Sequence, residues 1–273
     1  MTVVVKIGGA RAVEPEGALS DIAALADEGT DVAVVHGGST AVDDTLERMG
    51  IEPEYVETPS GVVGRFTDET TMDVFKMAMA GLVNTDLVTG LQAQGVDAVG
   101  LSGVDGKLLY GPRKSAVRVV ENGKKKIRRG DHSGRIESVN GDLLRTLLDG
   151  GYTPVASPPM LAADGVAVNT DADRASAAVT AELGGTLVSL TDVEGVYRDP
   201  DDPSTLIARV ETPEQYDELK AAAEGFMRRK VMAATEALEG GATEVIVASA
   251  NAENPVRAAV NGGGTHILHS ALE

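Results

Sequence analysis

Short, nearly continuous apolar runs alternate along this chain with segments of helical spacing. Val3–Ile7 is one such run and ends in Gly8-Gly9; Val32–Val35 is a second and ends at His36-Gly37-Gly38. Between and after them, Pro15–Glu28 and a segment around Thr40–Met49 repeat apolar residues at helical intervals. Glu69 to Gln94 keeps Met72, Phe75, Met79, Leu82, Val83, Leu87 and Leu91 near a period of 3.6, which predicts one long helix and a possible subunit contact along it. Asn140–Leu148, Asp171–Leu183 and Phe226–Leu238 are predicted helices, and Pro154–Ser157, Thr186–Leu190 and Val245–Ala248 predicted strands. Thr212-Pro213-Glu214-Gln215 reads as a capping box with proline at the first helical position. Alternating strands and helices of this kind predict an α/β fold with a largely parallel sheet.

One stretch breaks the alternation. Val96–Val119 is glycine-punctuated and β-branched, and Val117–Glu121 and Lys124–Arg128 flank Asn122-Gly123, a two-residue hairpin signal. Residues 113–129 hold Arg113, Lys114, Arg118, Lys124, Lys125, Lys126, Arg128 and Arg129 against Glu121 alone. That is a net +7 from eight cations and one carboxylate, in a chain of −18, so the remainder carries −25. A charge run is ordinarily a solvated face, but the contrast with the rest of the chain marks this one as a docking site for an acidic partner.

The 273 residues are enough for one large α/β domain or two joined lobes, with a change of role near residue 184. Hydrophobic content of 42% with only 3% aromatic predicts an aliphatic core. With no cysteine, disulfides and thiolate metal sites are excluded. The acidity argues against nucleic-acid binding and resembles that of proteins from a high-salt cytoplasm. The strand-like start lacks a signal-peptide pattern, and no apolar run approaches a membrane span of about 20 residues. A cytoplasmic protein is expected.

Familiar phosphate motifs fail. Gly106-Lys107 recurs in P-loops, but Leu101 and Leu108 replace the first glycine and the magnesium-binding hydroxyl. No G-x-G-x-x-G follows a strand. What remains is two glycine pairs at strand ends, where backbone amides can approach an anion, and Lys6, a cation at the end of an apolar strand that needs an anionic partner. Asp173, or a substrate phosphate, is such a partner. Phosphoryl transfer needs mainly positioning and cationic stabilisation.

Six ordered motifs resemble the amino acid kinase family: Lys6-Ile-Gly-Gly9, Val35-His-Gly-Gly38, Arg65-Phe-Thr-Asp68, Asn169-Thr-Asp-Ala-Asp173, Leu190-Thr-Asp-Val-Glu-Gly-Val-Tyr197 and Met227-Arg-Arg-Lys230. Within it the chain most resembles the N-acetylglutamate kinase branch. Gly100-Leu-Ser-Gly-Val-Asp-Gly106, the segment from Arg113 to Gly134 and His36-Gly-Gly-Ser39 are similar to the kinases that act on glutamate or 2-aminoadipate attached to the carrier protein LysW. The resemblance implies a three-layer α/β/α sandwich with a mostly parallel central sheet, and a homodimer. It implies that Lys6 and Lys230 neutralise the transferred phosphoryl group, that Asp173 orients them, and that Gly9 and Gly38 supply backbone donors. Gly37, Gly38, Arg65 and Asn169 would hold the amino acid, with Arg65 on its α-carboxylate. Thr191, Asp192, Tyr197 and Met227 would lie by the nucleotide, in a lobe spanning 185–273, while 1–184 binds the acceptor. ATP with Mg2+ is implied, and the LysW-type carrier is the acidic partner for the basic hairpin. A free N-acetylglutamate kinase is the near alternative. A nucleotide or carbamate kinase fits Arg65-Phe-Thr-Asp68 less well. A non-catalytic carrier-binding protein would not need Lys6, Asp173 and Lys230.

Overall fold

The computed structural model describes residues 2–9, 15–59, 61, 63–121 and 123–273, with Phe226 described by its backbone only. Its frame is an 11-stranded, mostly parallel sheet. Strand Thr2–Ile7 lies near the middle, parallel to Asp31–His36 on one side and to Thr186–Thr191 on the other. Beyond Asp31–His36 comes Thr153–Ala162, which also pairs with Ala98–Gly103 and Leu109–Gly111. Beyond Thr186–Thr191 come Glu244–Ser249, the antiparallel Thr265–Leu268 and short Arg209–Val210. The chain therefore leaves its first strand toward one edge and later returns to the other, making a switch point at the C-terminal end of Thr2–Ile7.

The apolar runs are unbroken because both sheet faces are covered. Val4, Ala33, Val35 and Leu187 face the helices Gly141–Asp149, Ala172–Leu183 and Gly225–Glu239. Val3, Val5, Val32, Val34 and Val188 face Glu16–Asp27, Asn84–Ala93 and Pro255–Val260. This is the expected three-layer sandwich. No sheet edge marks residue 184: the strand pairing of Val3 with Thr186 runs across the boundary. The expected capping box at Thr212 and Gln215 is present. Among the described residues no helix is long and apolar enough to cross a membrane.

The expected long helix differs in one respect. Glu69–Lys76 and Asn84–Ala93 are joined through Met77–Val83, a wider π-helical turn. Such turns occur at functional sites, and this one brings Met79 against Gly38 and Asn84 against His36. The basic hairpin is formed by Arg113–Glu121 and Lys124–Gly134, antiparallel. Of its expected Asn122-Gly123 turn, Asn122 lies outside the described residues, and Gly123 has φ 72° as that turn requires.

Candidate active site

The two glycine pairs meet. A Cβ on Gly9 would stand 2.1 Å from the Gly38 nitrogen and 2.5 Å from the Gly37 carbonyl carbon, so the backbones touch where no other residue fits. The Gly37 amide donates to the Ile7 carbonyl at 2.9 Å. Gly38 precedes the helix Ser39–Arg48, whose first turn begins at this wall and is tied to it by the Thr40 amide, which donates to the Gly9 carbonyl at 3.3 Å. Residues 10–14, through which the chain leaves Gly9, lie outside the described residues. Beneath the wall is His36, fully buried. Its Nδ1 lies 3.1 Å from the Gly37 oxygen and its Nε2 3.1 Å from Asn84 Nδ2. Burial lowers its pKa to about 4, so the ring is neutral, donating through Nδ1 and accepting through Nε2.

Lys6 is the last-but-one residue of its strand, beside Ser189 in the neighbouring strand. Its Nζ is 2.8 Å from Asp173 Oδ1, with only 6% of the side chain exposed. Asp173 stands in the first turn of Ala172–Leu183, a turn held by Asp171, whose carboxylate accepts from the amides of Asp173 and Arg174. Asp171 is thus a helix cap, a role worth about 1 kcal/mol. Lys230, from helix Gly225–Glu239, places Nζ 3.4 and 3.5 Å from the two Asp173 oxygens. Burial opposes ionisation of Asp173, but the Lys6 and Lys230 charges outweigh it and hold the carboxyl below its usual range. Burial, aided by Lys6, pulls the Lys230 ammonium below the ordinary lysine value. Two ammoniums share one carboxylate, so the cluster has a spare positive charge for an anion.

Above it opens a cavity of about 580 Å³ whose wall includes Lys6, Gly9, Gly37, Gly38, Arg65, Asn169, Asp173, Lys114 and Arg229. Lys230 reaches this wall through Asp173. Arg65 arrives on strand Val63–Arg65, and its Nη2 faces the Ser39 carbonyl at 2.9 Å, Asp43 Oδ1 at 2.7 Å and the Tyr55 hydroxyl at 3.1 Å. Its Nε is buried and has no hydrogen-bond partner among the described residues. Asn169 donates to Thr67 Oγ1 at 3.0 Å, and its backbone accepts from Gly134 and donates to His132, tying the hairpin base to the cavity floor.

Thr191 and Asp192 sit at the end of strand Thr186–Thr191, joined by a 2.9 Å side-chain hydrogen bond. Tyr197 follows, bridged to Leu206 with its hydroxyl near Glu194, and Met227 lies half-buried against the core. None of these four is part of the cavity wall. On the hairpin, Arg113 reaches the Asp131 carbonyl, His132 and Asp164; Lys126 pairs with Glu121, and Arg128 with Glu54 while stacking on Phe66. Lys114, Lys124, Lys125 and Arg129 are exposed. Sequence reasoning missed Asp43 and Tyr55 around Arg65 and Asn84 against His36. It named His36 and Arg229 only within motifs, and Lys114 as a docking cation and not as part of the cavity wall. Of the three missed, only Tyr55, an exposed-looking aromatic in an aromatic-poor chain, carried any signal.

Two ammoniums on one carboxylate, set beside a wall of backbone amides at a switch point, form a site suited to a phosphoryl group in transfer. Residues 1–249 match the model of the amino acid kinase family, and the chain belongs to that family. It is a kinase, a phosphotransferase. It is 44% identical over 269 residues to the LysW-aminoadipate kinase of Thermus thermophilus, covering 96% of this chain and 98% of that one. It is 41% identical over 250 residues to the acetylglutamate kinase of Methanopyrus kandleri, covering 89% and 93%. Among solved structures, N-acetylglutamate synthase from Neisseria gonorrhoeae, complexed with coenzyme A and N-acetyl-glutamate, aligns with TM-score 0.76 at 26% identity. That alignment covers 98% of this chain, which spans 59% of the synthase's length. The Giardia carbamate kinase shares the fold, with TM-score 0.68 at 17% identity over 98% of both chains.

Proposed function

We propose that this kinase phosphorylates the side-chain carboxylate of glutamate, 2-aminoadipate or both, attached to a small acidic LysW-type carrier protein, in arginine or lysine biosynthesis. A carboxylate oxygen attacks the γ-phosphorus of ATP, the bond to the β-bridging oxygen breaks, and acyl phosphate and ADP result. Lys6 and Lys230 balance the charge spread over the transferred oxygens, and Asp173 holds the two ammoniums in place without touching the substrate carbon. Gly9 and Gly38 donate backbone amides to the same oxygens. Gly37, Arg65 and Asn169 hold the amino acid in the 1–184 lobe. Thr191, Asp192, Tyr197 and Met227 flank the nucleotide in the 185–273 lobe.

Among the described residues no group of three or more His, Asp or Glu is assembled for a metal. Magnesium fits this site as an ion bound mainly by the nucleotide, where it would neutralise β- and γ-oxygens. The enzyme acts in the cytoplasm as a homodimer, with Met77 and Leu82, 51% and 47% exposed on the wide turn, in the shared face.

The observation that carries this reading is the Lys6–Asp173–Lys230 cluster under a glycine wall, and the likeness to LysW-aminoadipate kinases supports the acceptor. A second reading, free N-acetylglutamate as acceptor, is favoured by the likeness to the Methanopyrus protein. Hydroxylamine trapping of acyl phosphate with carrier-linked glutamate, carrier-linked aminoadipate and N-acetylglutamate tests both. Turnover of the carrier-linked acceptors is expected. Turnover of N-acetylglutamate alone would move the assignment to the second reading. The two carrier-linked acids differ by one methylene, about 1–3 kcal/mol of discrimination, so both are expected to react.

A further inference from the structure

A hairpin has two faces, and pairing register decides which side chains share one. On the inner face Val119 is fully buried, and its neighbours Lys126 and Arg128 are engaged by Glu121, Glu54 and Phe66. Alternation puts the residues between them on the opposite face. There Arg118 pairs with Ile127, Ala116 with Arg129 and Val120 with Lys125. Ile127 is 66% exposed, more than any other large apolar side chain described. Arg118, Lys125 and Arg129 are cations without an ion-pair partner among the described residues.

An exposed isoleucine alone is ordinary. An isoleucine ringed by unpaired cations, on an otherwise strongly acidic molecule, is different. We infer that this outward face is where the carrier docks, its own surface presenting an apolar side chain among carboxylates. The inference rests on the carrier-linked reading above and divides the hairpin by role. Arg113, Lys126 and Arg128 already have partners within the chain, while Arg118, Lys125, Ile127 and Arg129 meet the partner protein. Charge complementarity selects the place, because the −25 elsewhere repels an acidic protein. The same first strand carries Lys114 into the cavity wall, linking the docking face to the site.

The test measures KM and kcat with carrier-linked glutamate at two salt concentrations. Ile127→Ser and Lys125→Glu are each expected to raise KM by about tenfold, the size of a moderate interface contact, with little change in kcat. Lys220→Glu, the same charge change on a distant helix, is expected to leave KM alone. The Lys125→Glu effect should shrink as salt rises, while that of Ile127→Ser should persist. Wild-type KM in Ile127→Ser, or an equal rise in Lys220→Glu, would overturn the docking face while leaving the carrier-linked function standing. Absence of carrier-linked turnover in the unmodified enzyme would remove that function, and the docking face with it.

Discussion

Two groups of cations on this molecule contrast. At the switch point Lys6 and Lys230 are 6% and 13% exposed and share a single carboxylate. On the hairpin eight cations lie within seventeen residues, most of them in solvent. Each buried ammonium loses hydration, so its partner must be placed to within tenths of an ångström, and its field is hardly screened. The hairpin cations keep their water, so their pairs contribute little to stability and their attraction weakens with salt. Few charges in a dry place suit chemistry, and many in a wet place suit encounter with a partner.

The sharpest way to break this comparison is to neutralise the buried pair. Lys6→Met and Lys230→Met are each expected to lower kcat by about 10²–10³, the usual loss on removing a transition-state charge partner. Hydroxylamine trapping under saturating substrate measures it, and near-normal kcat in both variants would remove the mechanism.

Asp173→Asn leaves two ammoniums facing each other without an anion. It should cost about 3–5 kcal/mol of stability, as breaking a buried pair does, seen in denaturant titration and partly restored by ATP. The pH sign follows from the lowered carboxyl. Asp173 contributes fully above its unfolded value of 3.8, and the contribution is lost as pH falls through the lower folded value. The variant should therefore show a flatter acid limb.

His36 sharpens the role of burial without a partner charge. It is neutral when folded down to about pH 4, while the unfolded chain protonates near 6.5. Stability is complete above pH 6.5 and falls as pH drops toward 4, by about 3 kcal/mol in total at roughly 1.4 per unit. His36→Gln should remove that slope from the pH dependence of the melting temperature.

The smallest expected effect is on the hairpin. Glu121→Gln breaks the exposed Lys126–Glu121 pair, and calorimetry should find no shift in melting temperature. A clear loss would mean that the hairpin pairs are structural after all.

Much of this was legible in the chain. Apolar runs such as Val3–Ile7 and Val32–Val35 announced strands buried on both faces, since only that environment tolerates unbroken aliphatic residues. Gly9, Gly37 and Gly38 announced a close backbone approach. The π-helical turn at Met77–Val83 was not legible, because one extra residue in a turn barely disturbs a 3.6 period. Nor was the setting of Arg65, which depends on Asp43 and Tyr55 arriving from two other elements.

The sequence by itself determined the α/β alternation, the glycine pairs, the acidic balance and the basic hairpin, because each is a property of neighbours along the chain. Only the tertiary structure decided which lysine reaches which carboxylate. Lys6, Asp173 and Lys230 are separated by 167 and 57 positions, and their meeting depends on strand order and helix packing. It also decided which hairpin cations are spent internally, since cross-strand register sends Arg128 onto Phe66 and Ile127 into solvent.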